Sequence, residues 1–371
     1  MSEAPRRPHR RSPLPLVLGG LGAVLVGAAG AAGITWANQE VNSPTAPVEQ
    51  YLEALQDGDG AAALGLSGAV LPEGTEAGTQ LLDGEPLAAA AADLQDLEVQ
   101  DAGHATGAVT GSTAPAPDAE RRQIEVTGTA DGTPFRTVFT VSHQGRDWLF
   151  FDRWAMDPLR LPTVTVEPRG LTTERGAAGS PQDPDSSPLS ATLNGAPLPL
   201  TGEDGALMAP RLAVFPPAHL QTRFQSSHLA SEPAQLTVAR AGQDEVLPLT
   251  VTATELAVER VQEQVEQYLD QCTEQQVLHP TGCPLDSQSA QRVEPSSIRW
   301  EMVQMPQFAQ AQLISAGPLT EATLEGTARI TVTERDLMTG AQQRVQEDLP
   351  VRFTGTVLVT PESVRFTPEV R

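Results

Sequence analysis

Six histidines are the first residues to weigh as chemistry. They are His9, His104, His143, His219, His228 and His279, and no two stand in a His-Glu-x-x-His arrangement that would set two imidazoles around a zinc ion. No Gly-x-Ser-x-Gly elbow is present to expose a serine nucleophile. All 24 basic residues are Arg. Without a lysine amine there is no Walker-type phosphate loop, Schiff base, Ser-x-x-Lys acylation site or kinase-type Lys–Glu pair. Asp57-Gly58-Asp59-Gly60 hints at a calcium loop, but Ala61 holds the fifth position and the terminal Glu is missing, so the phrase reads as a turn ending a helix. The one acid–base pairing to inspect is Asp152 with His104 or His143, set in the space between a helix and a sheet. His143 adjoins the Gln144-Gly145 turn signal, and both histidines read as solvated loop positions. Trp148, Phe150 and Trp154 alternate along one strand and read as core rather than as a ligand box. No catalytic residue, cofactor or metal ligand is assigned, and the chain is not expected to be an enzyme.

Cys272 and Cys283 are the only cysteines. An even, minimal count in an exported chain reads as one disulfide. The sequence between them ends in the turn formers His279-Pro280-Thr281-Gly282, as a stapled helix-to-loop corner requires. A metal reading would need further ligands beside His279 at zinc spacing, and none is there.

Net charge is −23, unevenly spread. Residues 1–13 carry Arg6, Arg7, Arg10 and Arg11 against Glu3, which leaves −26 on the rest of the chain. Such acidity repels phosphate backbones, so nucleic acid is not an expected partner. Between Ser12 and Gln39 no residue is ionisable, and residues 14–37 are mostly Leu, Val, Ala and Gly. As a helix they would rise about 36 Å, enough to cross a hydrocarbon core of about 30 Å. With the arginines on its N-terminal side, this transmembrane helix leaves a short cytoplasmic tail and exports everything after it. The alternative is a cleaved signal peptide, for which the apolar run is long. Gly19, Ala23, Gly27 and Ala31 fall on one helix face, a stripe that permits close packing of membrane helices and that Gly/Ala-rich composition also produces by chance.

The element pattern follows from periodicity. Val48-Glu49-Gln50-Tyr51-Leu52 recurs as Val265-Glu266-Gln267-Tyr268-Leu269, and these hold the only two tyrosines. Val48/Tyr51/Leu52/Leu55 and Val265/Tyr268/Leu269/Cys272 both have the spacing of an amphipathic helix, and Val258 and Val261 extend the second stripe backward. Short alternating runs follow each copy: 123–129, 137–142 and 148–154 after the first, then 298–304, 328–333, 351–356 and 363–367 after the second. Residues 61–92 supply further short helices, 167–190 read as a linker, and 191–256 show only strand-like pieces with a hairpin signal at Asn194-Gly195. The predicted fold class is α+β: an N-terminal transmembrane helix (14–37), a helix-on-sheet roll (46–160), a linker with a small all-β module (161–256), and a second α+β unit with the disulfide (257–371).

An Arg-rich tail, an apolar run and then Val-Glu-Gln-Tyr-Leu-Glu-Ala-Leu-Gln-Asp-Gly-Asp resemble the opening of many actinobacterial exported proteins, where the phrase starts a nuclear-transport-factor-2-like (cystatin-like) domain. Gly145-Arg146-Asp147-Trp148-Leu149-Phe150 looks like that domain's closing strand. Leu193-Asn194-Gly195 and Val214-Phe215-Pro216 look like a β-sandwich module of such ectodomains, and residues 268–284 like the start of their third domain. The layout is loosely similar to the teicoplanin-resistance-associated membrane proteins, from which this chain departs by lacking a cytoplasmic zinc ribbon. The resemblance implies architecture and no activity. The expected role is that of a single-pass cell-membrane protein with extracellular binding, sensing or scaffolding modules. Its partners would be membrane lipid through the N-terminal helix, an envelope protein or a second copy. The alternative is a small-molecule-processing enzyme or carrier using the interior of a roll.

Overall fold

The structure, a computed structural model, describes residues 42–71, 77–104, 120–147, 151–171, 189–202, 205–308 and 319–369. The segment 14–37, with Gly19, Ala23, Gly27 and Ala31, lies outside the described residues, as do Trp148 and Phe150.

Three helices open the described chain: α1 (Ala46–Gln56), α2 (Gly60–Ser67) and α3 (Gly84–Ala92). The stripe of α1 turns inward, burying Val48, Tyr51, Leu52 and Leu55. The Asp59 carboxylate caps α2 by accepting the Ala62 N–H at 2.8 Å. Gly58 has φ +70°, and a Cβ there would stand 2.6 Å from the Gly84 carbonyl oxygen, so the turn needs glycine for both reasons. The helices lie on an antiparallel sheet of β1 (Leu94–His104), β2 (Arg121–Ala130), β3 (Thr133–Asp147) and β4 (Phe151–Met156), in that spatial order. Asp131 (φ 47°) and Gly132 (φ 74°) join β2 to β3 with the two positive φ values of a tight hairpin turn.

The centre is built from β5 (Thr163–Arg169), β6 (Ser190–Leu193), β7 (Ala196–Pro199), β8 (Arg211–Ala213), β9 (Ala218–Arg223), β10 (Leu229–Ser231), β11 (Ala234–Val238) and β12 (Asp244–Ala253). They form two four-stranded sheets, β10-β12-β5-β8 and β11-β9-β6-β7, with β12 running parallel to β5. Next come α4 (Glu255–Thr273), then β13 (Arg292–Val293), β14 (Arg299–Gln304), β15 (Leu319–Arg335), β16 (Gln342–Val359) and β17 (Val364–Glu369). The Thr254 hydroxyl caps α4 at the Ala257 N–H, 3.3 Å away. Ala257, Val261, Val265, Leu269 and Cys272 are its buried stripe.

The packing forms two cores. One joins α1–α3 and the first sheet to Ala213 and Phe215 of the central unit. The other runs without a break from the central sheets into α4 and the C-terminal sheet.

The predicted fold class is corrected by this architecture. The described residues are 50% strand and 18% helix, with four α-helices. None of these helices is long and apolar enough to cross a membrane. The described residues are predominantly β, not two α+β rolls flanking a small all-β module, and the membrane helix expected at 14–37 lies outside them. The reason lies in pairing length. The run read as 328–333 is part of a strand of 17 residues. Its partner β16 has an outer half, from Gln342 to Pro350, that is largely exposed on both faces. Without a buried face a strand shows no apolar alternation, so the outer half of β16 carries no periodic signal.

Candidate functional site

The acid–base pair sought in the sequence lies where β3 meets β4. The register of that pairing slips between His143 and Arg146, so the Gln144-Gly145 signal is a bulge inside a hairpin. The bulge gathers three groups. His143 Nε2 lies 3.2 Å from Asp152 Oδ1, and the Arg146 Nε–H donates to the same oxygen at 2.8 Å. Trp154 meets the His143 ring edge-on with centroids 5.1 Å apart, and its other contacts are with the first core. His104 is not part of the group; it sits 3.6 Å from Glu120 on an exposed edge.

The electrostatics of this cluster point away from acid catalysis. The Arg146 hydrogen bond holds the Asp152 carboxyl below its ordinary range, with a smaller contribution from His143 and burial opposing both. A general acid must keep its proton near working pH, and this carboxyl gives its proton up more readily than a free one. His143 and Asp152 are 24% and 25% exposed, so the pair sits at the surface rather than in a closed cavity.

The interior between α1 and the first sheet holds a packed, buried cluster. Tyr51 is fully buried and meets Phe139 and Phe215 edge-on, at centroid distances of 5.5 and 6.2 Å. Its hydroxyl donates to the Pro216 carbonyl oxygen at 2.8 Å. Ile124, Val126, Leu55 and Val141 belong to the same buried cluster. One tyrosine thus fills its own unit and bonds the next.

Two buried polar groups went unnoticed in the sequence. Asp157 is 7% exposed, with Oδ2 3.6 Å from Arg121 Nε, and neither carboxylate oxygen has a hydrogen-bond partner among the described residues. His219, 4% exposed on β9, has Nδ1 3.2 Å from the Thr237 hydroxyl and Nε2 without a partner among the described residues. Neither residue stands in a motif; their burial comes from sheet packing, which spacing does not encode. Among the described residues no group of three or more His, Cys, Asp or Glu is placed to hold a metal ion.

Cys272 and Cys283 are disulfide-bonded, with Cα atoms 5.7 Å apart. The closed loop is also held by side chains. Tyr268 donates to the Gly282 carbonyl oxygen at 2.8 Å, and the Trp300 indole N–H donates to the Val277 carbonyl oxygen at 2.8 Å. The two copies of Val-Glu-Gln-Tyr-Leu therefore place their tyrosines alike, each ring against phenylalanine and each hydroxyl on a distant carbonyl.

Burial separates the two tyrosines on titration. It pushes the Tyr268 phenol up to about 12 and the Tyr51 phenol well above its ordinary value. A raised phenol favours the folded state fully below the unfolded value of about 10, and that contribution is lost as pH rises through the folded value. Ultraviolet titration of the native protein is expected to show no phenolate near pH 10, one near 12, and the second only on unfolding. A full tyrosine ionising near pH 10 in the folded protein would contradict this packing.

No protein family, curated protein or solved structure matches the chain.

Proposed function

We propose that the chain is a membrane-anchored, extracytoplasmic protein of the cell envelope that works by binding, sensing or scaffolding rather than by catalysis. The observation that carries the non-catalytic part is the aromatic packing of the first unit's interior. Tyr51 packs edge-on against Phe139 and Phe215 between the first helix and its sheet, where a roll enzyme or carrier would need an open pocket. The anchor rests on the charge-free run 14–37 behind four arginines. Export is supported by the Cys272–Cys283 bond, since oxidising compartments sustain disulfides. The resemblance of the opening phrase to actinobacterial exported proteins supports the same reading.

Fractionation of intact cells tests it. The full chain is expected to sediment with membranes, to need detergent for release, and to be degraded by protease added outside the cell. Its two thiols should react only after reduction. A freely soluble cytosolic chain with two reactive thiols would sink the reading. Crosslinking from the exported part in living cells then identifies what it binds.

A further inference from the structure

The C-terminal hairpin has an uncovered edge. β15 and β16 pair without interruption from Leu319–Leu358 to Arg335–Gln342. On its other side β16 is paired by β17 only from Thr354 to Val359. From Gln342 to Phe353 no described strand covers it. The exposed outer stretch, 342–350, is about 30 Å long. At its tip, Leu337 and Met338 are 71% and 94% exposed. A long open edge presents a row of unpaired N–H and C=O groups, a template for another strand.

The residues on that edge favour one occupant, the same edge of a second copy. The stretch reads Gln342-Gln343-Arg344-Val345-Gln346-Glu347-Asp348-Leu349-Pro350. Laid antiparallel on itself about Gln346, it sets Arg344 opposite Asp348 on both sides of the two-fold axis, and Val345 opposite Glu347. Opposite charges facing across antiparallel strands stabilise the pairing, and like charges are kept apart. Asp348 already accepts two hydrogen bonds from Arg329, at 2.6 and 2.9 Å, which orients its carboxylate on that face. Arg344 is exposed and makes no ion pair among the described residues.

Pro350 agrees with this register. A proline in a strand sits where its missing N–H faces the open side. Residues 344, 346 and 348 share its parity, so their N–H and C=O groups point to the open edge as well.

We propose that two copies of this chain associate edge to edge through residues 342–350 of β16, making one continuous sheet across a two-fold axis at Gln346. This gives the self-association left open above a specific surface. It does not depend on where the protein sits. The interface is isologous, as a two-fold pair requires. The register carries the turn of each copy toward the end of β17 in the other, where Leu337 and Met338 lose exposure.

The test uses the full chain in the cells that make it, with Gln346→Cys added to the native disulfide. Mild oxidation is expected to join two copies at this position, because opposed residues in a hydrogen-bonded antiparallel pair lie about 5.5 Å apart. Thr356→Cys, on the part of β16 that β15 and β17 cover on both sides, is expected to stay uncrosslinked. In detergent, Gln346→Pro removes two outward hydrogen bonds across the axis and leaves the β15 side paired. It should weaken association about 30-fold by sedimentation, with an unchanged circular dichroism spectrum. Failure of Gln346→Cys to crosslink would overturn the proposal. So would a dimer that tolerates Gln346→Pro, since that association would lie elsewhere. Fractionation decides the membrane reading independently, so either conclusion can fail alone.

Discussion

Tyr51→Ala is expected to destabilise the N-terminal half by about 3–5 kcal/mol, the largest effect of any single substitution considered for this chain. The ring is fully buried and lies edge-on to two phenylalanines, one in each of the units it joins. Removing it leaves a cavity in the first core and breaks the only aromatic contact to Phe215 among the described residues. Tyr51→Phe separates the two contributions. It keeps the ring but strips the Pro216 carbonyl of its donor, which costs about 1–3 kcal/mol for a buried group left unpaired. Tyr268→Ala, at the same place in the repeated phrase, is expected to cost clearly less because that ring is only partly buried. Urea denaturation of the three variants gives the order. Equal losses at Tyr51 and Tyr268 would mean that the first helix is not keyed into the central unit as described.

The second large effect is expected from Cys272→Ala with Cys283→Ala, at roughly 3 kcal/mol from loop closure in the unfolded chain. Cys272 is 1% exposed at the end of the buried α4 stripe, so its loss also thins the core there. The loop it closes carries the carbonyl groups that hold Tyr268 and the Trp300 indole. Opening it should bring the Tyr268 phenol down from about 12 toward the ordinary tyrosine range and alter the Trp300 emission. Denaturation, alkaline titration and fluorescence of one double variant read these together. An unchanged Tyr268 titration would show that the disulfide does not support this corner.

A pattern is legible in sequence when one face of an element is buried and the other is wet, because burial then imposes a period. The stripes of α1 and α4 met that condition, and both helices stand where the repeated phrase put them. The turns at Asp131-Gly132 and Asn194-Gly195 were legible for a local reason. Both residues of each take positive φ, which few residue types accept. The cysteine pair needed only parity and an exported context. By contrast, the bulge that brings His143, Arg146 and Asp152 together was read as a simple turn. A slip in register is a property of two strands, and neither strand encodes it alone.

The sequence by itself determined the local elements: two amphipathic helices, the tight turns, the partnered cysteines, the charge-free run and the lack of lysine chemistry. Tertiary structure alone decided that the described residues are mostly sheet, that Tyr51 bonds two units, that Asp157 and His219 are buried, and that no described strand covers the outer edge of β16. The division has one cause. Local signals arise from residues a few positions apart on one element, whereas burial, register and edges depend on partners brought together over tens or hundreds of residues, as with Tyr51 and Pro216, 165 positions apart.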